Sequence, residues 1–120
     1  MAIAIVDSQL TIIQPSGHIN AANASEFQNQ LTSAVTATQQ PVLVDMNRVE
    51  SLDSAALMSL ITAFRLAQSL DRRFGICSVP ATVRIIFELT QLDKAFEIFD
   101  SRDDFTASLD SSKEALRLTA

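Results

Sequence analysis

The hydropathy pattern predicts an α/β domain, with a mixed, mainly parallel sheet of about five strands, an N-terminal hairpin and about four helices. Three observations carry this. The chain has 120 residues, enough for one domain with its own core. Its 48% hydrophobic and 19% charged residues suit a globular fold and not a disordered one. After two opening apolar runs, strand-like and helix-like periods alternate, as right-handed β-α crossovers require.

Ala2 to Val6 and Leu10 to Gln14 are apolar and are split by Asp7-Ser8-Gln9, the chemistry of a tight turn, so two antiparallel strands are expected. Pro15-Ser16-Gly17-His18 then breaks the pattern. Asn20 or Asn23 can cap the next helix, with Asn23-Ala24-Ser25-Glu26 fitting a capping box, and Phe27, Leu31, Ala34 and Val35 mark its inner face. Pro41 resets the chain. Val42 to Met46 is the near-continuous apolar run of a central strand covered on both faces. A short polar loop follows. Leu57, Leu60, Ile61, Phe64, Ala67 and Leu70 recur at spacings of three and four, predicting a helix of about four turns that opens on Asp53-Ser54. Phe74 to Val79 reads as another strand, and Pro80 suits the first turn of a third helix with Val83, Ile86, Phe87 and Leu89 on its apolar side. Ala95 to Phe99 reads as a last short strand. A helix between Ser101 and Leu109 places Asp103 and Asp104 near its positive end. Residues 1–110 are assigned to the domain and 111–120 to a C-terminal tail.

A net charge of −5, from 14 acids against 9 bases, disfavours nucleic acid and anionic lipid as partners. Arg72-Arg73 is the only basic pair and reads as solvation of a helix end. Cys77 is the only cysteine, so no intramolecular disulfide forms, and its apolar setting reads as a buried strand. The N-terminus lacks the pattern of a signal peptide and no apolar run reaches a membrane-spanning length, so a cytoplasmic protein without a membrane partner is expected.

Loops leaving the C-terminal ends of the strands gather along one edge, where open α/β sheets place their sites, and this brings His18 to Asn20 towards Asp53-Ser54. Ser54 there heads a helix, beside unpaired amides and the positive dipole end that favour a phosphate. The plain reading is that Asp53 caps the helix and Ser54 is a first-turn residue. A hydrolytic nucleophile needs glycines two residues either side, and Leu52 and Ala56 stand there instead. His18 is the one available imidazole base, so a small hydrolase or phosphoryl carrier using Ser54 with His18 is the alternative from another class. Asp45, Asp53, Asp100, Asp103 and Asp104 lack the order of a calcium loop and read as caps and solvated surface, so no metal is expected. Gly17 and Gly75 are the only glycines, too few for a glycine-rich nucleotide cradle, and no cofactor is expected. The outer face of the first helix is almost uncharged, with no Lys or Arg before Arg48, which is compatible with a docking surface.

Val44-Asp45-Met46 through Leu52-Asp53-Ser54-Ala55-Ala56-Leu57 resembles the strand, loop and Asp-Ser-Ser/Thr-Gly-Leu phosphorylation motif of STAS-domain anti-sigma factor antagonists, regulators in bacterial partner-switching systems. Pro80-Ala81-Thr82-Val83-Arg84-Ile85-Ile86-Phe87 to Leu92 is similar to that family's third helix, and Gly17 to Asn20 to its Gly-x-Leu-Asp segment. The resemblance implies a STAS-like fold and a binding protein of transcriptional signal transduction, with no enzyme activity and no catalytic residues. It implies that Ser54 is phosphorylated by an anti-sigma factor serine kinase and restored by a serine phosphatase, and that the unphosphorylated form holds the kinase through Asn20, Asp53, Ala55, Ala56 and Leu57. Ala56 stands for the motif's usual glycine, Ala55 for its Ser or Thr, and Asn20 for an aspartate. A STAS subunit of a larger signalling or transport assembly is the third reading.

Overall fold

The computed structural model describes residues 2–6 and 9–109. Six strands form one sheet, β1 (Ala2–Val6), β2 (Thr11–Ile19), β3 (Val42–Asp45), β4 (Arg48–Leu52), β5 (Phe74–Cys77) and β6 (Glu97–Phe99). Four helices stand between them, α1 (Ala24–Ala37), α2 (Ser54–Ser69), α3 (Ala81–Leu89) and the short α4 (Leu92–Ala95), and α5 (102–109) follows β6. The strand order is β1-β2-β3-β5-β6, with β4 set beside the far half of β2. Only β1 and β2 are antiparallel; every other pairing is parallel. This is the expected hairpin-plus-crossover sheet, although Asp7 and Ser8 of the hairpin turn and the tail after Leu109 lie outside the described residues.

The departures from expectation have local causes. Pro15-Ser16-Gly17-His18 does not end β2, which runs on to Ile19. β2 pairs with β3 through Ile13↔Val44 and with β4 from Ser16↔Arg48 onwards, so Pro15, which has no N–H to donate, falls where the strand changes partner. A register shift follows between Gly17 and His18, and Gly17 supplies the positive φ of 76° that this bulge needs. The segment expected as a polar loop contains β4, whose burial pattern keeps only Val49 and Leu52 inside, too weak an alternation to read as a strand. Asn23 occupies the N-cap of α1 without a side-chain cap bond, so the capping box does not form. Pro80 is the N-cap of α3 and not a first-turn residue. Leu89 is 79% exposed, outside the apolar side assigned to it, because α3 ends there. Ala95 closes α4, which leaves only three residues to β6.

Strand alternation sends successive side chains to two separate cores. Val42 and Val44 from β3 and Met46 just after it, with Phe74 and Ile76 from β5, pack under α1, α2 and α3. Leu43 and Cys77 face the other way and meet Leu10, Ile12 and Phe105 of α5. Gly75 is required here by close approach, since a Cβ would lie 2.4 Å from the Phe105 ring. Burial pushes the Cys77 thiol up to about 11, which keeps it neutral and unreactive.

Asp45 also points to this second side and is 4% exposed, not a solvated cap as its sequence setting suggested. Arg102 Nε donates to its Oδ2 at 2.6 Å, Gln14 Nε2 lies 3.3 Å from the same oxygen, and Asn47 N donates to Oδ1 at 3.0 Å. The pair ties α5 to the end of β3. Arg72 does sit at a helix end, bonding Leu70 O at 2.8 Å, whereas Arg73 is drawn into an ion pair with Glu97 at 2.9 Å and stacks 5.0 Å from the Phe105 ring centre.

Candidate functional site

β2 and β4 end side by side at Ile19↔Leu52, and the two chains leaving them form one edge of the sheet. The strands come together there because Ile19 and Leu52 are both buried, 4% and 5% exposed, in the helix-covered core. Asp53 N donates to Ile19 O at 3.1 Å, which extends the pairing by one residue and fixes where α2 begins. The predicted adjacency of residues 18–20 and 53–54 is present, produced by the β2–β4 pairing.

Asp53 is extended (φ −94°, ψ −176°) and caps α2, as read from the sequence. Its Oδ1 accepts from Ala56 N at 3.0 Å and its Oδ2 from Ala21 N, also at 3.0 Å. One carboxylate thus clamps the start of α2 to the turn between β2 and α1. That turn is built by its asparagines. Asn20 N donates to Asn23 Oδ1 at 2.9 Å, Ala22 N to Asn20 Oδ1 at 2.9 Å, and Asn23 Nδ2 to His18 O at 2.9 Å. Asn20 is therefore a turn former that leaves its residue exposed, next to the Asp53 clamp.

Ser54 is exposed at the head of α2, with Asp53 exposed beside it and Ala55 and Leu57 half-buried. Ala56 is 0% exposed and packs into the core. Its methyl belongs to the interior and does not contribute to the docking surface assigned to it from the motif. The helical period explains this, since residues 56, 60, 63 and 67 form the inner stripe of α2. Met58, one turn beyond Ser54, is 57% exposed and was not singled out from sequence; its position at i+4 was the available signal. Ser59, also unremarked, is buried and donates to Ala24 O at 3.0 Å, fixing α2 against the start of α1.

His18 does not pair with Ser54. Its Nδ1 lies 2.6 Å from Ser51 Oγ and its Nε2 3.4 Å from Glu50, with both side chains of the ion pair about two-thirds exposed. The imidazole is held by β4 on the open surface, which removes the geometric ground for the Ser54–His18 hydrolase or phosphoryl carrier. Among the described residues no cluster of three His, Cys, Asp or Glu could hold a metal ion. No helix among them is long and apolar enough to cross a membrane.

One edge of this small α/β domain thus presents an exposed serine beside a clamped carboxylate, with half-buried Ala55 and Leu57 next to it. The model of the STAS domain matches residues 2–105, and the chain belongs to the STAS domain family. Anti-sigma factor antagonists built on this domain are regulatory binding proteins, not enzymes. BtrV of Bordetella bronchiseptica, which carries the provisional name of an anti-sigma factor antagonist, is 24% identical over 92 residues, 77% of this chain and 79% of BtrV. An anti-sigma factor antagonist from Mycobacterium paratuberculosis superposes with a TM-score of 0.80 at 24% identity, covering 90% of this chain and 92% of that one. The Bacillus cell fate determinant SpoIIAA in its phosphorylated form superposes with a TM-score of 0.70 at 13% identity, over 90% of this chain and 97% of that one. The expected STAS-like fold is thereby the fold of this chain.

Proposed function

We propose that this protein is an anti-sigma factor antagonist that works as a phosphorylation-controlled binding module. Unphosphorylated, it binds an anti-sigma factor serine kinase through the edge formed by Asn20, Asp53, Ser54, Ala55 and Leu57. The kinase phosphorylates Ser54 and the complex parts. A serine phosphatase returns the protein to its binding state. This cycle belongs in the cytoplasm, where the kinase and its sigma factor meet.

One observation carries the reading. Ser54 is exposed at a helix N-terminus directly beside a carboxylate that two backbone amides hold in place. Phosphate adds about −1.5 to −2 charges, and its repulsion with Asp53 at about 6 Å is roughly 1 to 5 kcal/mol, depending on effective dielectric. Asp53 cannot swing away without giving up its bonds to Ala56 N and Ala21 N. A partner covering this edge would have to desolvate both anions. Since about 1.4 kcal/mol is tenfold in affinity, a few kcal/mol ejects it with no change of fold. SpoIIAA, which shares this fold, is itself described in a phosphorylated form.

The test is incubation with the cognate kinase and ATP, followed by mass spectrometry and a binding assay. Wild type is expected to gain one phosphate on Ser54 and lose affinity. Ser54→Ala should bind and stay unmodified, and Ser54→Asp should bind weakly; if both variants bind and incorporate phosphate as wild type does, the reading is wrong.

A further inference from the structure

We propose that the outer face of α3 is a docking surface for a second copy of this chain, the two α3 helices packing antiparallel about a two-fold axis. The inner side of α3 is fixed in the core by Val83 and Phe87. On its outer side Ile85 is 55% exposed and Leu89 79%, one helical turn apart. Among the described residues they are the only exposed large hydrophobics that share a turn. Ala81, exposed one turn before Ile85, carries only a methyl group and lets a facing helix come close. The apolar stripe thus runs the length of α3 and faces solvent.

Charge selects the occupant. At about 3.6 residues per turn, Arg84 and Glu88 fall on the same flank of the stripe. Among the described residues neither side chain has an ion pair, and they are not paired with each other. In an antiparallel pair related by a two-fold axis, each flank meets its own copy with the direction reversed. An axis passing near Ile86 sets Arg84 opposite the partner's Glu88, twice over, and lays Leu89 of each chain against the partner's Ile85. Parallel packing would instead turn both charges towards the flank of Thr82 and Ile86, where nothing answers them. The pattern is therefore complementary to itself, which a surface made for an unrelated protein has no need to be. Its charges also sum to zero, so the net −5 of the chain is not concentrated where the copies meet.

A helix of nine residues offers a small interface, so the dimer is a weak one. The test is sedimentation equilibrium of the full chain from about 10 µM to about 1 mM, where a monomer–dimer equilibrium is expected. Leu89→Asp should weaken it about tenfold or more. Arg84→Glu and Glu88→Arg each put like charges opposite one another at both contacts and should weaken self-association about tenfold. An equimolar mixture of those two variants should associate at least as tightly as wild type, because each then meets its opposite. All three substitutions lie on an outer helix face, and unchanged thermal unfolding checks that the fold is kept. A monomer at 1 mM, a dimer indifferent to Leu89→Asp, or a mixture no tighter than either charge variant alone would overturn the proposal. No kinase or phosphate enters the experiment, so its outcome is independent of the role proposed for Ser54.

Discussion

The Ser54 edge and the α5 face are built on opposite terms. At the edge, order comes from short polar bonds between exposed groups, with the Asp53 carboxylate joining α2 to an asparagine turn. On the α5 face it comes from shape and a buried charge: a phenyl ring seated over a glycine and an arginine closing on a carboxylate that is 4% exposed. The first arrangement is open to solvent; the second is closed. Under the proposed function, switching and stability would be carried by different parts of a small domain.

Substitutions should separate the two regions, beginning with the largest effects. Phe105→Ala removes a fully buried ring from the α5 face and should destabilise the protein by about 3–5 kcal/mol in urea or thermal unfolding. Gly75→Ala presses a methyl into the same ring and should cost about 1–3 kcal/mol, despite being the smallest possible enlargement. Arg102→Met strips the partner from Asp45; since Arg102 is itself about a third exposed, the expected loss is about 1–2 kcal/mol, and Asp45→Asn in the same chain should recover part of it. Asp53→Ala should cost only about 1 kcal/mol, the value of a helix cap, yet it should speed hydrogen exchange at the Ala56 and Ala21 amides together. If those two amides respond separately, Asp53 is a cap alone and the clamp is not a unit.

The same contrast governs what could be read from sequence. β3, α2 and the buried Cys77 were legible because period and hydrophobicity agree over most of their length, with Asp45, Met58 and Leu70 as exceptions, and Asp53 was legible as a cap because its chemistry is local. β4 was not, because three of its five residues are exposed and its partner lies some 30 residues away, as the pairing His18↔Ser51 illustrates. Asp45 looked like surface from its polar neighbours; only α5, 57 positions on in the chain, supplies the cation that makes its burial tolerable. Ala56 read as part of the motif and so as surface, whereas the helical stripe puts it inside. At the Ser54 edge the motif located the serine and its neighbour, but the second bond of Asp53, to Ala21 N, depends on a tertiary contact that no spacing encodes.

The most direct measurement is the affinity of the cognate anti-sigma factor kinase for this protein before and after stoichiometric phosphorylation at Ser54, compared by calorimetry at constant salt with unfolding curves of both forms in parallel. Binding weakened about tenfold or more, with stability changed by less than about 1 kcal/mol, is the predicted result. Equal affinity of the two forms, or a loss of binding that tracks loss of the folded state, would contradict it.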